Sequence, residues 1–145
     1  MNKLTVQECS KLLWEMHISV SGFYNEYAKS VGLTLQSLKV LSILHREKSC
    51  TQKYITQLSY LPKQTVNAII KGFNEQGIVT KPVASDSDKR NKNIFLTAEG
   101  ERYAEKIISK ARSSEYRALE KLGEDRRTSM VESIVLYRNN LSLEE

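Results

Sequence analysis

The side chains of this sequence that could do chemistry are mainly cations, amides and hydroxyls, and they gather in its central third. Between Cys50 and Thr97 there are seven basic and three acidic residues, so this third holds +4 of the net charge of +5. A concentrated group of cations is what binding to the phosphate backbone of a nucleic acid requires. The alternative is a basic surface that only favours solubility, and net charge does not separate the two.

The centre of this basic segment predicts an amide-rich helix. It begins at Pro62, because proline suits the first helical position, and it ends at Gly77. Its apolar residues recur at helical spacing and form the predicted inner stripe: Val66, Ile69, Ile70 and Phe73. The outer face carries the predicted DNA contacts: Lys63, Gln64, Thr65, Asn67 and Lys71. Amides pair best with adenine and this helix has no arginine, so we expect A·T-rich contacted positions.

A charged tract follows the helix. Residues 84–92 lie between two strand-like runs, residues 78–83 and 93–97, and lack apolar periodicity, which predicts a hairpin loop. Its cations are further predicted DNA contacts: Lys89, Arg90 and Lys92. An arginine at such a tip can enter the minor groove, and Asp88 is placed to hold the guanidinium of Arg90. The alternative is a hairpin whose charges serve solubility alone.

Threonines and glycines mark the ends of the helices before this segment. Thr5 is the predicted N-cap of the first helix, Glu8 completes a capping box, and Gly32 ends the helix. Thr34 and Thr51 are the predicted caps of the next two helices. In the short third helix we expect three buried residues: Tyr54, Ile55 and Leu58.

The order of elements predicts the fold. Beyond the hairpin, Thr97 caps a helix that has Gly100 at its third position; Gly123 breaks that helix and Asp125 opens the last one. A short helix, a tight turn, a longer helix and a hairpin form a winged helix-turn-helix. The fold class is therefore mainly α with a minor β part.

The outer helices point to self-association. We expect residues 1–145 to form a single chain in which residues 34–97 are the winged helix-turn-helix. Residues 1–32 and 98–145 would supply dimerisation helices, because their apolar seams exceed what one small domain can cover. The alternative is an ordinary helix pair within one chain.

Part of the hairpin has a characteristic register. Asp88 and Arg90 are followed six positions on by Leu96-Thr97 and then by Gly100, which opens the next helix. This register resembles the wing signature of the MarR family of bacterial transcriptional regulators, and residues 63–67 are similar to the start of the recognition helix in many members. The resemblance implies a homodimeric, ligand-responsive repressor on a pseudo-palindromic DNA operator. The contacts it implies match Lys63, Gln64, Thr65, Asn67 and Arg90, with Asp88 supporting Arg90.

The resemblance also suggests what could regulate the protein. Many members respond to small aromatic compounds, and by analogy a pocket would be lined by Trp14, His17, Tyr24 and His45. Core packing or surface placement is the alternative for each of them. Some members sense oxidants through a cysteine near the amino terminus, where this chain has Cys9; a small apolar residue on a helix seam is the alternative.

Other classes of protein are disfavoured. There is no nucleophile-base pair, phosphate-binding glycine loop or metal motif, so we expect neither catalytic residues, nor a metal, nor a cofactor. No apolar run reaches the roughly 18 residues that would span a bilayer, and Cys9 and Cys50 form no disulfide framework, which favours a cytoplasmic protein. The remaining rival is a winged helix that binds protein rather than DNA; Lys63, Gln64 and Asn67 argue against it.

Overall fold

A computed structural model describes residues 3–80 and 92–142 of the protein. Within these ranges the elements are α1 (Val6–Ser30), α2 (Leu35–Glu47), β1 (Ser49–Thr51), α3 (Gln52–Ser59), α4 (Lys63–Glu75), β2 (Val79–Thr80), β3 (Asn93–Leu96), α5 (Ala98–Leu122) and α6 (Glu124–Asn140). The mainly α fold class with its winged helix-turn-helix is confirmed. The chain divides into two compact units, residues 1–108 and residues 109–145, and the division falls within α5.

Threonine hydroxyls cap the amino ends of the first three helices. The Thr5 hydroxyl accepts a hydrogen bond from the backbone N–H of Glu8 at 3.2 Å, and the Glu8 carboxylate accepts one from the Thr5 N–H at 2.8 Å. The hydrogen bonds that the Thr5 backbone N–H and hydroxyl donate to the Glu8 carboxylate lower the pKa of that carboxyl. Thr34 and Thr51 each accept the N–H three residues on, at 3.0 and 3.1 Å. The three predicted helix starts are confirmed, because each cap satisfies a backbone donor that the helix leaves open.

The small sheet contains one strand that the sequence did not predict. Its order is β1-β3-β2, all antiparallel, with Cys50 opposite Ile94 and Val79 opposite Leu96. β1 has only three residues, of which one is buried, and such a length carries no alternating pattern. β2 and β3 fall in the two predicted runs, while residues 81–83 of the first run lie outside the described residues.

The core of residues 1–108 holds the helix-turn-helix in place. The side chains of Leu41, Leu44, Ile55, Val66 and Ile70 are fully buried there. They come from α2, α3 and α4, so these helices share one apolar centre. Burial of each such side chain contributes about 1.5–3 kcal/mol, which fixes the face that α4 turns away from the core.

Two residues expected in this core lie at its edge. Tyr54 and Leu58 are 39% and 38% exposed, whereas Ile55 and Ser59 are buried. Residues four apart lie on one helix face, so α3 packs along the line from Ile55 to Ser59, and Tyr54 and Leu58 flank it. Of the predicted inner stripe of α4, Ile69 is only half-buried.

Candidate nucleic-acid interface

The turn between α3 and α4 determines how the recognition helix begins. α3 ends at Tyr60, which has a left-handed backbone with φ 56° and ψ 22°. Pro62 was expected at the first helical position, but it is the N-cap, with φ −57° and ψ 143°, and Lys63 is the first helical residue. The extended ψ of Pro62 places its own residue outside the helix. The proline side chain offers no acceptor, so α4 begins without a side-chain cap.

An open groove lies between α3 and α4. It has a volume of about 690 Å³ and is lined by Gln52, Lys53, Thr56, Gln57, Lys63, Gln64 and Asn67. Three of these residues were predicted contacts on α4; the four on α3 were missed. The signal that could have found them is the polar face of the short helix, which alternates with Ile55 and Ser59 on the buried face.

The composition of this groove suits one kind of ligand. Its lining combines two lysines with amides and a hydroxyl, and among the residues that the structure describes it includes no acidic side chain. Lysines match phosphate oxygens, while amides can donate to and accept from base edges. The uncapped amino terminus of α4 adds a positive helix-dipole end beside Lys63. The groove can therefore hold a polyanion that also displays hydrogen-bonding edges.

The other predicted contacts are placed less centrally. Thr65 is half-buried and Lys71 is exposed two turns along α4, and neither lines the groove. Lys92 is half-buried just before β3. Asp88, Lys89 and Arg90 lie outside the described residues, so their roles in the wing stay predictions.

Thr97 links the segment that follows α4 to the start of α5. Its hydroxyl donates to the Gly77 carbonyl at 2.6 Å and accepts from the Gly100 N–H at 2.9 Å. Its backbone N–H donates to the Ile78 carbonyl at 3.0 Å. A Cβ atom at Gly100 would overlap that carbonyl oxygen, so only glycine fits. The predicted cap is confirmed, and these contacts explain why threonine and glycine occupy positions 97 and 100 of the wing register.

The four residues proposed for an effector pocket are found in different surroundings. Trp14 and His17 contact each other on α1, with ring centroids 5.8 Å apart, and Trp14 is 66% exposed. Tyr24 packs against the core of residues 1–108. His45 is buried, and its Nε2 lies 2.9 Å from a carboxylate oxygen of Glu105. The structure therefore joins Trp14 to His17, while the pocket itself stays a prediction.

The two cysteines differ in exposure. Cys9 on α1 is half-buried, and Cys50 on β1 is buried. Burial, and to a lesser extent the charge of Glu47, raises the pKa of the Cys50 thiol to about 11. Within residues 3–80 and 92–142, no three histidine, cysteine or acidic side chains are grouped to hold a metal ion. Over the same ranges, no helix is both long and apolar enough to cross a membrane.

Comparison with known proteins identifies the fold. Residues 31–91 match the MarR family, and no curated protein sequence matches the chain. A MarR family regulator from Neisseria meningitidis is 24% identical, with a TM-score of 0.75 over 89% of this chain and 90% of its own. Staphylococcus aureus MepR in its DNA-binding conformation is 19% identical, with a TM-score of 0.75 over 92% and 98%.

A third structure with this fold holds a small aromatic compound. It is NadR in complex with 4-hydroxyphenylacetate, which is 15% identical, with a TM-score of 0.71 over 98% of each chain. The sequence match includes α2, α3 and α4, and the shared fold extends over most of the chain. Residues 31–91 of this chain are therefore similar to the MarR family of transcriptional regulators, and the chain has the fold of the regulators named above.

Proposed function

We propose that this protein is a sequence-specific DNA-binding regulator that acts in the cytoplasm as a homodimer on a pseudo-palindromic operator. The observation that carries the proposal is the polar, cationic groove between α3 and α4. Lys53 and Lys63 supply cations from its two helices, and Gln64 and Asn67 supply amides from α4. In protein–DNA complexes, phosphate contacts position the protein and base contacts give specificity; here the lysines would make the former and the amides the latter.

Exposed apolar faces support the homodimer. On α1 the exposed fractions of Val6, Trp14 and Ile18 are 81%, 66% and 55%. On α6 and at its C-cap, those of Ile134, Tyr137 and Leu141 are 47%, 51% and 67%. Exposed apolar surface on each of these helices marks an interaction site, and a second copy of the chain offers the same two faces for pairing about a two-fold axis. Two recognition helices related in this way would read two half-sites.

Selection of DNA from a random duplex pool tests the proposal. We expect the wild-type protein to enrich two inverted half-sites with A·T pairs at the contacted positions, because amides select adenine. Failure to enrich any sequence, or recovery of G·C-rich half-sites, would contradict this reading. The affinity for the recovered duplex should fall steeply with salt, by about 0.9 in log K per log salt for each phosphate contact.

A matched pair of amide substitutions then locates the site. Asn67→Ala should lower affinity for the selected duplex by about 1–3 kcal/mol per half-site and relax its base preference. Asn74→Ala removes an exposed amide from the same helix outside the groove, so it should leave binding unchanged. Equal effects of the two substitutions would show that the groove is not the reading surface.

A winged helix that binds protein is the alternative to this function. The groove argues against it, because protein interfaces are centred on apolar and aromatic side chains, whereas this lining is polar and cationic. A binding constant for the selected duplex that does not change with salt would favour the protein-binding alternative.

Response to a small aromatic ligand is the second proposed property, and the exposed ring pair of Trp14 and His17 favours it. Trp14 is the single tryptophan of the chain, so its fluorescence reports directly on this position. We expect 4-hydroxyphenylacetate, the compound bound to NadR, to quench the fluorescence and release the selected duplex.

Redox control through Cys9 is the alternative switch. Hydrogen peroxide would then release the duplex from the wild type but not from Cys9→Ser.

A further inference from the structure

Tyr60 ends α3 with a left-handed backbone, but the fold does not explain why this residue is an exposed tyrosine. It is 94% exposed, and its φ of 56° lies in the left-handed region. A residue with a Cβ adopts that region at a cost, which glycine and asparagine largely avoid. An exposed ring recovers none of this cost by packing. Folding alone would therefore favour glycine or asparagine at this position.

Lys48 also has a positive φ, of 64°, but its side chain has a structural role that accounts for it. Its ammonium group lies 3.0 Å from a carboxylate oxygen of Glu101 and so links α2 to α5. Tyr60 projects its ring into solvent instead. Strained, exposed residues of this kind are found where a side chain serves a partner.

The position of Tyr60 indicates which partner. It is two residues before Pro62, the N-cap of α4, and three residues before Lys63 in the groove. Three residues of chain span at most about 11 Å, so the backbone of Tyr60 lies within that distance of Lys63, at the uncapped, electropositive amino end of α4. A phosphate beside that end would meet the helix terminus, Lys63 and a phenolic donor together.

We propose that Tyr60 donates its phenolic hydrogen bond to a backbone phosphate that flanks the recognition helix in the DNA complex. The inference rests on the proposed function, since it needs the α3–α4 groove to bind DNA. Tyrosine is a regular donor to phosphate oxygens, and such a contact positions the protein without reading sequence. The strain at the turn is then retained for binding rather than for stability.

Two substitutions separate the hydroxyl from the backbone. The probes are a 30-base-pair duplex recovered by selection on the wild-type protein and a shuffled duplex of equal length. Tyr60→Phe removes only the hydroxyl and should weaken binding of both duplexes about ten-fold. Tyr60→Asn should weaken both by at least as much, yet raise Tm by about 2–5 °C at fixed protein concentration, because the left-handed strain is relieved.

The salt dependence provides an independent readout. A phenol is uncharged, so Tyr60→Phe should lower affinity without changing the slope of log K against log salt. Lys63→Ala should reduce that slope by about 0.9 for each phosphate that the lysine neutralises. Tyr116→Phe removes a hydroxyl from an exposed tyrosine of α5 and should change neither affinity nor slope.

Specific outcomes would overturn the inference. Unchanged affinity of Tyr60→Phe excludes the phosphate contact, and weakening of the selected duplex alone would indicate a base contact instead. A lower Tm of Tyr60→Asn would show that the ring supports the fold. Failure of the wild-type protein to recover any duplex in the selection would refute the proposed function itself, which is a distinguishable result. Retention of another protein by the wild type but not by Tyr60→Asn, with DNA affinity unchanged, would reassign the residue to a protein contact.

Discussion

At the scale of single residues, the properties of Gly100 and of the buried Cys50 depend on their surroundings in the fold. Gly100 lies against the carbonyl group of Ile78, and Cys50 lies opposite Ile94 in the sheet. Neither partner could be identified from residue type alone. Both positions can be tested by substitution.

Gly100→Ala should destabilise the protein by about 2–3 kcal/mol or more, since the new methyl group would overlap the backbone oxygen of Ile78. Gly72→Ala is the matched control within α4, where no heavy atom of the described residues beyond the helix backbone lies within 4 Å of the added Cβ. It should stabilise the protein by about 0.5–1 kcal/mol through its higher helix propensity. Urea unfolding of the two variants measures both effects, and equal changes would contradict the close approach at Ile78.

The Cys50 thiol predicts a loss of stability at alkaline pH. Its folded pKa is raised from 9.0 to about 11, so the folded protein favours the neutral thiol more than the unfolded chain does. The stabilisation is complete below pH 9 and is lost as pH rises through about 11. The free energy of unfolding of wild type should therefore fall across this window by more than that of Cys50→Ala. Parallel pH profiles for the two proteins would refute the prediction.

At the scale of elements, polar contacts of α5 and of the residue before it support the helix-turn-helix. His45 near the end of α2 meets Glu105 of α5, and Lys48 meets Glu101 of the same helix. The Tyr27 hydroxyl donates to the Ile107 carbonyl and ties α1 to α5 within residues 1–108. The Thr97 hydroxyl donates to the Gly77 carbonyl and so ties the segment that follows α4 to the start of α5. These links hold the groove residues relative to the core.

Thr97→Val and Thr34→Val compare two threonine caps with different additional roles. Thr34 caps α2 through the Ser37 N–H, and its loss should cost about 1 kcal/mol. Thr97 caps α5 and also donates to the Gly77 carbonyl, so its loss should cost about 2–3 kcal/mol. Thermal unfolding distinguishes the two. Equal destabilisation would mean that the bond to Gly77 contributes nothing.

At the scale of the whole molecule, the apolar faces of α1 and α6 predict that stability and DNA affinity depend on protein concentration. Ile134 is 47% exposed on α6, although its type suits a covered position. Ile134→Lys should therefore give a monomer in sedimentation, with the core of residues 1–108 still folded. Loss of the second recognition helix should reduce affinity for the two-half-site duplex by about 10²-fold or more. Arg138→Ala, a change on the same helix that removes no apolar surface, is the control, and a persistent dimer of Ile134→Lys would contradict the assigned face.

Local patterns in the sequence were sufficient for the threonine-capped helix starts, the fold class and the outward face of α4. Thr5, Thr34, Thr51 and Thr97 begin helices through hydrogen bonds between residues only three positions apart. The outward face of α4 followed from a helical period that separates Val66 and Ile70 from the polar side chains between them. The register from Asp88 to Gly100 also sufficed to indicate the resemblance to the MarR family.

Which other elements join the site depends on tertiary packing. Lys53 of α3 lines the groove because α3 and α4 pack on a shared core, and Tyr54 lies outside that core. β1 forms because residues Ser49–Thr51 pair with β3. Each of these depends on contacts between residues far apart in the chain, which a local period does not encode. The same holds for Tyr60, whose strain and exposure emerge only when the turn into the recognition helix is built.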